Sequence, residues 1–175
     1  MAHGLLVLGI DPGTAITGYG LVESDDGLLK LVGSGIITTS AKENLPARLQ
    51  IIYRELSRII AAYRPDEAAI EELFFARNAR TALVVGHARG VALLALADAA
   101  LPICEYTPLQ VKQTVTGYGQ ADKKQVQEMV RLLLDLPDVL KPDDAADAAA
   151  IAICHIHSSR LSRLVGADGA GAALS

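Results

Sequence analysis

Tryptophan is missing from this 175-residue chain, and the other aromatics are so scarce that they make up only 4% of it. A β-sandwich of this size would lean on aromatics. The core has to come instead from the Ala, Val, Leu and Ile of a 51% hydrophobic fraction, which suits helices layered on a sheet. Long apolar runs are lacking too. The longest, such as 91–97 and 148–154, fall far short of the ~20 residues that cross a bilayer, so no membrane association is expected. Met1 to Gly4 carries no basic leader or cleavage site, and no signal peptide is expected. Cysteine is limited to Cys104 and Cys154, both in apolar contexts and outside any metal or redox spacing. That excludes a disulfide framework and points to two buried thiols in a reducing cytoplasm.

Positive charge is also in short supply, with a net charge of −4. Taken as an average, this argues against a nucleic-acid partner. The average conceals a gradient. Between Leu73 and Lys124 stand six basic residues (Arg77, Arg80, Arg89, Lys112, Lys123, Lys124) against three acidic ones (Asp98, Glu105, Asp122), a local surplus of three that leaves −7 elsewhere. One segment can meet phosphate while an acidic cluster elsewhere holds cations.

What is present reads as one domain over residues 1–160, followed by a Gly/Ala-rich tail over 161–175 that is expected to fray from Val165. Leu5–Asp11 is an almost continuous apolar run that stops at Asp11-Pro12-Gly13, the pattern of a central strand entering a turn. Strands over 17–22 and 28–38 follow, with the hairpin signal Asp26-Gly27 between them. Leu49, Ile52, Leu56, Ile59 and Ile60 give a helix from Asn44 or Leu45 to Tyr63, closed by Pro65. A strand over 67–73 returns parallel to the first by a right-handed crossover. A helix over 78–100, apolar nearly all round and expected to be buried, leads to a strand over 102–106. Helices over 108–115, 122–134 and 143–160 complete the chain. The class is α/β, a three-layer α/β/α sandwich with a five-stranded mixed sheet.

Acids stand out against this apolar background. Asp11 closes the first strand, and Glu71 closes the fourth with Glu72 directly behind it. Strand alternation sends one of these two glutamates to each face without saying which. Parallel neighbouring strands would bring their terminal acids together at the sheet edge where open α/β folds build sites. Asp144 and Asp147 share a face at the start of the last helix and extend its core stripe through Ile151, Cys154 and His155. Each acid alone could be a cap or turn residue, and Asp143 best fits the cap. Together they form a buried carboxylate cluster that needs a counter-charge. Oxygen donors suit Mg²⁺ or Mn²⁺, and two such ions would support phosphodiester hydrolysis. His155-Ile156-His157 places its rings on diverging sides of a helix and makes a poor zinc pair.

Several motifs extend the argument. These are Gly9-Ile10-Asp11-Pro12-Gly13-Thr14 with Thr17-Gly18-Tyr19-Gly20, Ala69-Ile70-Glu71 with Phe74 and Asn78, and Gly86-His87-Ala88-Arg89-Gly90. Gln110-Val111-Lys112-Gln113-Thr114-Val115, Gln125-Val126-Gln127 and Asp144-Ala145-Ala146-Asp147-Ala148 complete the set. In this order, from Leu5 to His157, the set resembles the RuvC family of bacterial Holliday-junction resolvases. The resemblance implies a ribonuclease-H-like fold, a homodimer, and a structure-selective endonuclease acting in recombination and DNA repair. It also implies symmetric nicks in opposite strands of a four-way junction, with preference for a short thymine-containing sequence. By motif position, Asp11, Glu71, Asp144 and Asp147 take the catalytic and metal-binding roles, which selects Glu71 over Glu72. Two Mg²⁺ per subunit are implied, with Mn²⁺ as a possible substitute. Lys112 and Lys123 take the basic rim positions, Phe74 a junction-contact position, and the RuvAB branch-migration complex is the implied partner. An ATPase of the actin and sugar-kinase type shares the Asp-x-Gly-Thr pattern, but it needs a second phosphate-binding lobe for which the chain has no room. A nuclease-dead DNA-binding module would have no use for four acids at one edge.

Overall fold

The computed structural model describes the backbone of residues 4–72 and 79–169, and side chains within 4–72 and 82–160. Three antiparallel strands open the chain: β1 (Leu5–Asp11), β2 (Ile16–Asp25) and β3 (Leu28–Thr38). Asp26 and Gly27 make the two-residue turn between β2 and β3, both with positive φ (46° and 87°), as the hairpin signal requires. Helix α1 (Leu45–Tyr63) is capped by the Asn44 side chain, which accepts from the Ala47 N–H at 3.0 Å, and it ends at a left-handed Arg64 before Pro65. Strand β4 (Glu67–Glu71) pairs parallel with β1, and after α2 (Ala79–Asp98) strand β5 (Ile103–Tyr106) pairs parallel with β4. Helices α3 (Pro108–Thr116), α4 (Lys123–Leu133) and α5 (Asp143–Gly169) follow. The sheet order is β3-β2-β1-β4-β5, so the two strands ending in Asp11 and Glu71 lie at its centre.

Strand alternation divides the core. Leu8, Ile10, Leu21, Ala68 and Ile70 face α1 and α2, while Val7, Val22 and Ala69 face α3, α4 and α5. The expected three-layer mixed sandwich is what the chain forms.

The second face is unusually flat. In the β1–β2 ladder Gly9 pairs with Gly20 and Asp11 with Gly18, which removes three side chains from one patch. Helix α5 lies directly on it with Ala148, Ala149 and Ala152, all buried. A Cβ on Gly9 would stand 2.1 Å from the Ala148 carbonyl oxygen, one on Gly18 2.1 Å from that of Asp144, and one on Gly20 2.7 Å from the Ala149 nitrogen. Small residues on both partners therefore bring backbone against backbone.

Four expectations need correcting. Helix α5 continues to Gly169, past both the Arg160 end and the Val165 start of fraying, because Leu, Arg and Ala sustain a helix through the single Gly166. Asp143 is the first residue of α5 rather than its cap, and pairs with Lys123. Cys104 is exposed because β5 is an edge strand, whereas Cys154 is buried as expected. Helix α2 is covered on one side only. Ala88, Ala92, Ala95 and Leu96 are buried, but Leu83 is 64% and Leu94 53% exposed. Hydrophobicity all round a helix does not reveal whether its own chain supplies the cover.

The close approach of α5 sets a stability prediction. Gly9→Ala should cost about 2–4 kcal/mol by forcing backbone apart in a packed core, measured as a lower urea midpoint at unchanged m-value. A change under about 0.5 kcal/mol would mean that the helix floats on the sheet.

Candidate active site

β1 and β4 run in parallel with Ile10 opposite Ile70, so the next residues, Asp11 and Glu71, end their strands side by side. Each lies two residues beyond one that faces α5, Gly9 and Ala69 respectively, so each carboxylate emerges on the α5 face. Glu72 is exposed, with its N–H donating to the Tyr106 carbonyl at 2.8 Å, and stays outside the cavity. Strand register thus puts Glu71, and not Glu72, on the α5 face.

Both strand ends are braced. Thr17, fully buried, donates its hydroxyl to the Gly13 carbonyl at 2.7 Å, closing the Pro12-Gly13 turn behind Asp11. Thr39 donates to the Thr14 carbonyl, and Arg48 Nε donates to Thr39 Oγ1 at 2.8 Å. At the other strand end Arg89 Nε donates to the Glu71 carbonyl at 3.2 Å while its guanidinium pairs with Glu105.

Helix α5 brings the remaining acids. Asp147 joins Asp11, Glu71, Lys112 and Lys123 in the wall of a cavity of about 250 Å³, whose apolar side includes Val111 and Ile151. Asp144, half-buried one turn earlier, is not in that wall but acts on Asp11 through its charge. Lys123 Nζ stands 3.0 Å from Asp147 and 3.5 Å from Asp143. Phe74 lies outside the described residues.

The site strains against its own charge. Burial, then repulsion from Asp147 and Asp144, pushes Asp11 up to about 6, against the pull of Lys123. Burial, then Asp11 and Asp147, pushes Glu71 up to about 7, with Lys112 pulling the other way. Asp147 is also raised by burial, and Lys123 limits the rise. Among the described residues no three such side chains are drawn together as a ready-made ligand cluster. Asp147 is paired with the Lys123 ammonium. The donor set contains carboxylate oxygen alone, which fits a hard divalent cation and no soft one. A divalent cation would relieve the repulsion that raises Asp11 and Glu71.

Three supports escaped sequence reasoning. The glycines under α5 and the Arg89 tether act through contacts distant in sequence. The third is His155, only 3% exposed, which is held by Glu67 Oε2 at 2.5 Å from Nε2 and by the Tyr106 hydroxyl at 2.8 Å from Nδ1. It anchors α5 to β4 and β5 within the core and is engaged there, in keeping with the little weight given to it as a zinc ligand.

Comparison with known proteins adds an independent line. The family model described as crossover junction endodeoxyribonuclease RuvC matches residues 7–155. The protein of that name from Roseiflexus sp. (strain RS-1) is 57% identical over 158 residues, covering 90% of this chain and 94% of its own length. The one from Chloroflexus aggregans is 60% identical over 152 residues, covering 87% and 93%. Among solved structures, Thermus thermophilus RuvC in complex with a Holliday junction substrate superposes with a TM-score of 0.86 at 36% identity, over 90% of this chain and 96% of that one. The yeast mitochondrial Holliday junction resolvase, at 14% identity and a TM-score of 0.62 over 86% and 78%, shares the fold.

The raised acids make a pH prediction. Their protons are held more tightly in the folded state, so their contribution to stability is full below about pH 4 and is lost as pH rises through about 6 and 7. In metal-free buffer at pH 8, Asp11→Asn and Glu71→Gln should each raise Tm by roughly 3–8 °C, with no gain at pH 4. Calorimetric scans at both pH values measure this, and equal shifts at the two would contradict it.

Proposed function

The chain belongs to the RuvC family of crossover junction endodeoxyribonucleases, and from that membership and the geometry above we propose how it works. It is an endodeoxyribonuclease that resolves Holliday junctions in recombination. We assign the nuclease to residues 1–160, with 161–175 as an appendage outside the chemistry. The observation that carries the mechanism is the convergence of Asp11, Glu71 and Asp147 with Lys112 and Lys123 around one cavity at the central sheet edge.

Asp11, Glu71, Asp144 and Asp147 are the residues that would hold two Mg²⁺ per subunit, or Mn²⁺ in their place. When bound, such a pair supplies an activated water and stabilises the departing oxygen of a phosphodiester. The rest is done by the chain itself. Asp11 and Glu71 are fixed by strand register and by the Thr17 and Arg89 braces, so little reorganisation is left for the reaction. Lys123 favours the charged form of Asp147, and it can exchange that carboxylate for a phosphate oxygen as DNA arrives. Lys112, beside Glu71, neutralises the phosphate from the α3 wall. Phe74 is assigned to contact with the junction's unpaired bases.

Symmetric nicking of opposite strands needs two sites. The open stripe of α2, with Leu83, Val84 and Leu94 exposed, suits burial against a second copy, and we propose a homodimer through it. We propose that it acts beside the RuvAB branch-migration complex in the cytoplasm, a reading that its family membership supports. Among the described residues no helix is long and apolar enough to cross a membrane.

The deciding assay is Mg²⁺-dependent cleavage of a synthetic four-way junction against linear duplex. Equal cutting of both would leave only a general nuclease. Asp11→Asn, Glu71→Gln, Asp144→Asn and Asp147→Asn should each abolish cleavage while junction binding persists, and full nicking by any of them would remove that residue from the site. Lys112→Ala and Lys123→Ala should slow turnover by about 10–100-fold with the fold intact. Leu83→Glu combined with Leu94→Glu should sediment as a folded monomer; a persisting dimer would move the interface elsewhere.

A further inference from the structure

The active-site cavity continues beyond its carboxylates. Pro108 and Lys112 line it, and they also line a second cavity of about 320 Å³ whose other walls are Thr107, Leu109, Gly119 and Gln120. The two cavities adjoin at the Pro108 and Lys112 that they share. Their chemistry differs. The second has no carboxylate in its wall. It offers Leu109, 60% exposed, and Gln120, an exposed amide that makes no hydrogen bond among the described residues.

The loop that carries Gln120 is anchored. Gln113 Nε2 donates to the Gly117 carbonyl at 2.9 Å, and the Thr116 hydroxyl accepts from the Tyr118 N–H at 3.1 Å. Gly117 takes the left-handed conformation that turns the chain back (φ 76°). Leu109 rests against Gly119, where an added Cβ would lie 2.6 Å from Leu109 Cδ1. Leu109 and Gln120 therefore line one space, and Lys112 is shared between that space and the acid-lined cavity.

We infer that this compartment is a nucleobase subsite, which receives the base of a nucleotide adjoining the scissile phosphate. The inference rests on the nuclease reading, since Lys112 must meet the phosphate for the neighbouring base to reach the second compartment. Leu109 offers the contact surface for an apolar base face or methyl group. Gln120 offers one donor and one acceptor, the pair that reads a base edge. Recognition here is separate from the carboxylates and sets which sequence is cut.

The test uses the full chain and four-way junctions in which the nucleotide on each side of the cleaved phosphate is varied through all four bases. Single-turnover rates are read with Mg²⁺, and the fluorescence of 2-aminopurine at the same positions is read in metal-free buffer. Wild type should spread its rates across bases by about fivefold or more, and Gln120→Ala and Leu109→Ala should each compress that spread at least about threefold. Gly119→Ala, which tips Leu109 into the compartment, should slow the favoured base most. The 2-aminopurine signal on binding should fall by about half or more in Leu109→Ala. An unchanged spread in both alanine variants, or a uniform loss across all bases, would overturn the subsite. Failure of wild type to cut any junction would overturn the nuclease reading, and the metal-free fluorescence would then judge the subsite by itself.

Discussion

Everything at the site depends on how near α5 can come to the sheet. Ordinary strands keep a helix at the distance set by their side chains. Here Gly9, Gly18 and Gly20 supply none on that face, and the helix answers with alanine. The gap closes to backbone contact over the part of β1 and β2 that leads to Asp11. Asp144 and Asp147, in the first turns of α5, are thereby delivered beside an acid more than 130 positions earlier in the chain. The packing also sets the orientation, since the Asp144 carbonyl sits over Gly18.

Close packing creates an electrostatic burden that the surrounding structure has to carry. Buried acids repel one another and resist ionisation. Two lysines, one on α3 and one on α4, lean in from the opposite wall and keep the cluster in a usable state. Backbone braces stop the strand ends from relaxing outward. Lys112 then serves two compartments at once, with acids on one side and an apolar, amide-bearing hollow on the other. A groove that changes character across one side chain is well suited to a polymer whose phosphates and bases need opposite treatment.

Much of this was legible in the sequence, and the failures have physical reasons. Strand ends at Asp11 and helix spacing at Asp144 and Asp147 gave three acids, because local periodicity determines which face a side chain takes. Alternation alone left Glu71 tied with Glu72, since it gives parity and not direction, and only the family resemblance selected Glu71. The direction comes from the pairing of β1 with β4 and from Ala69 facing α5. Gly9, Gly18 and Gly20 stood in the sequence only as members of a motif, and their packing role was hidden because the partner helix lies more than 120 positions later in the chain. The pairing of Lys123 with Asp147 joins two helices through tertiary packing alone. The apolar circumference of α2 suggested burial, and half of it is open, because hydropathy counts water avoided without naming what excludes it.

The same helix-on-glycine contact has a consequence in time. Asp11 is made well before Asp144 and Asp147, which stand on a helix more than 130 positions later in the chain. A chain that has not yet reached Asp147 lacks part of the acid set, and the groove does not close before α5 docks. A contact of such long sequence separation also carries a large loop-closure cost, of the kind that slows folding. The order of synthesis thus acts as a safety catch. Until α5 has been made and has docked, no assembled cutting centre exists.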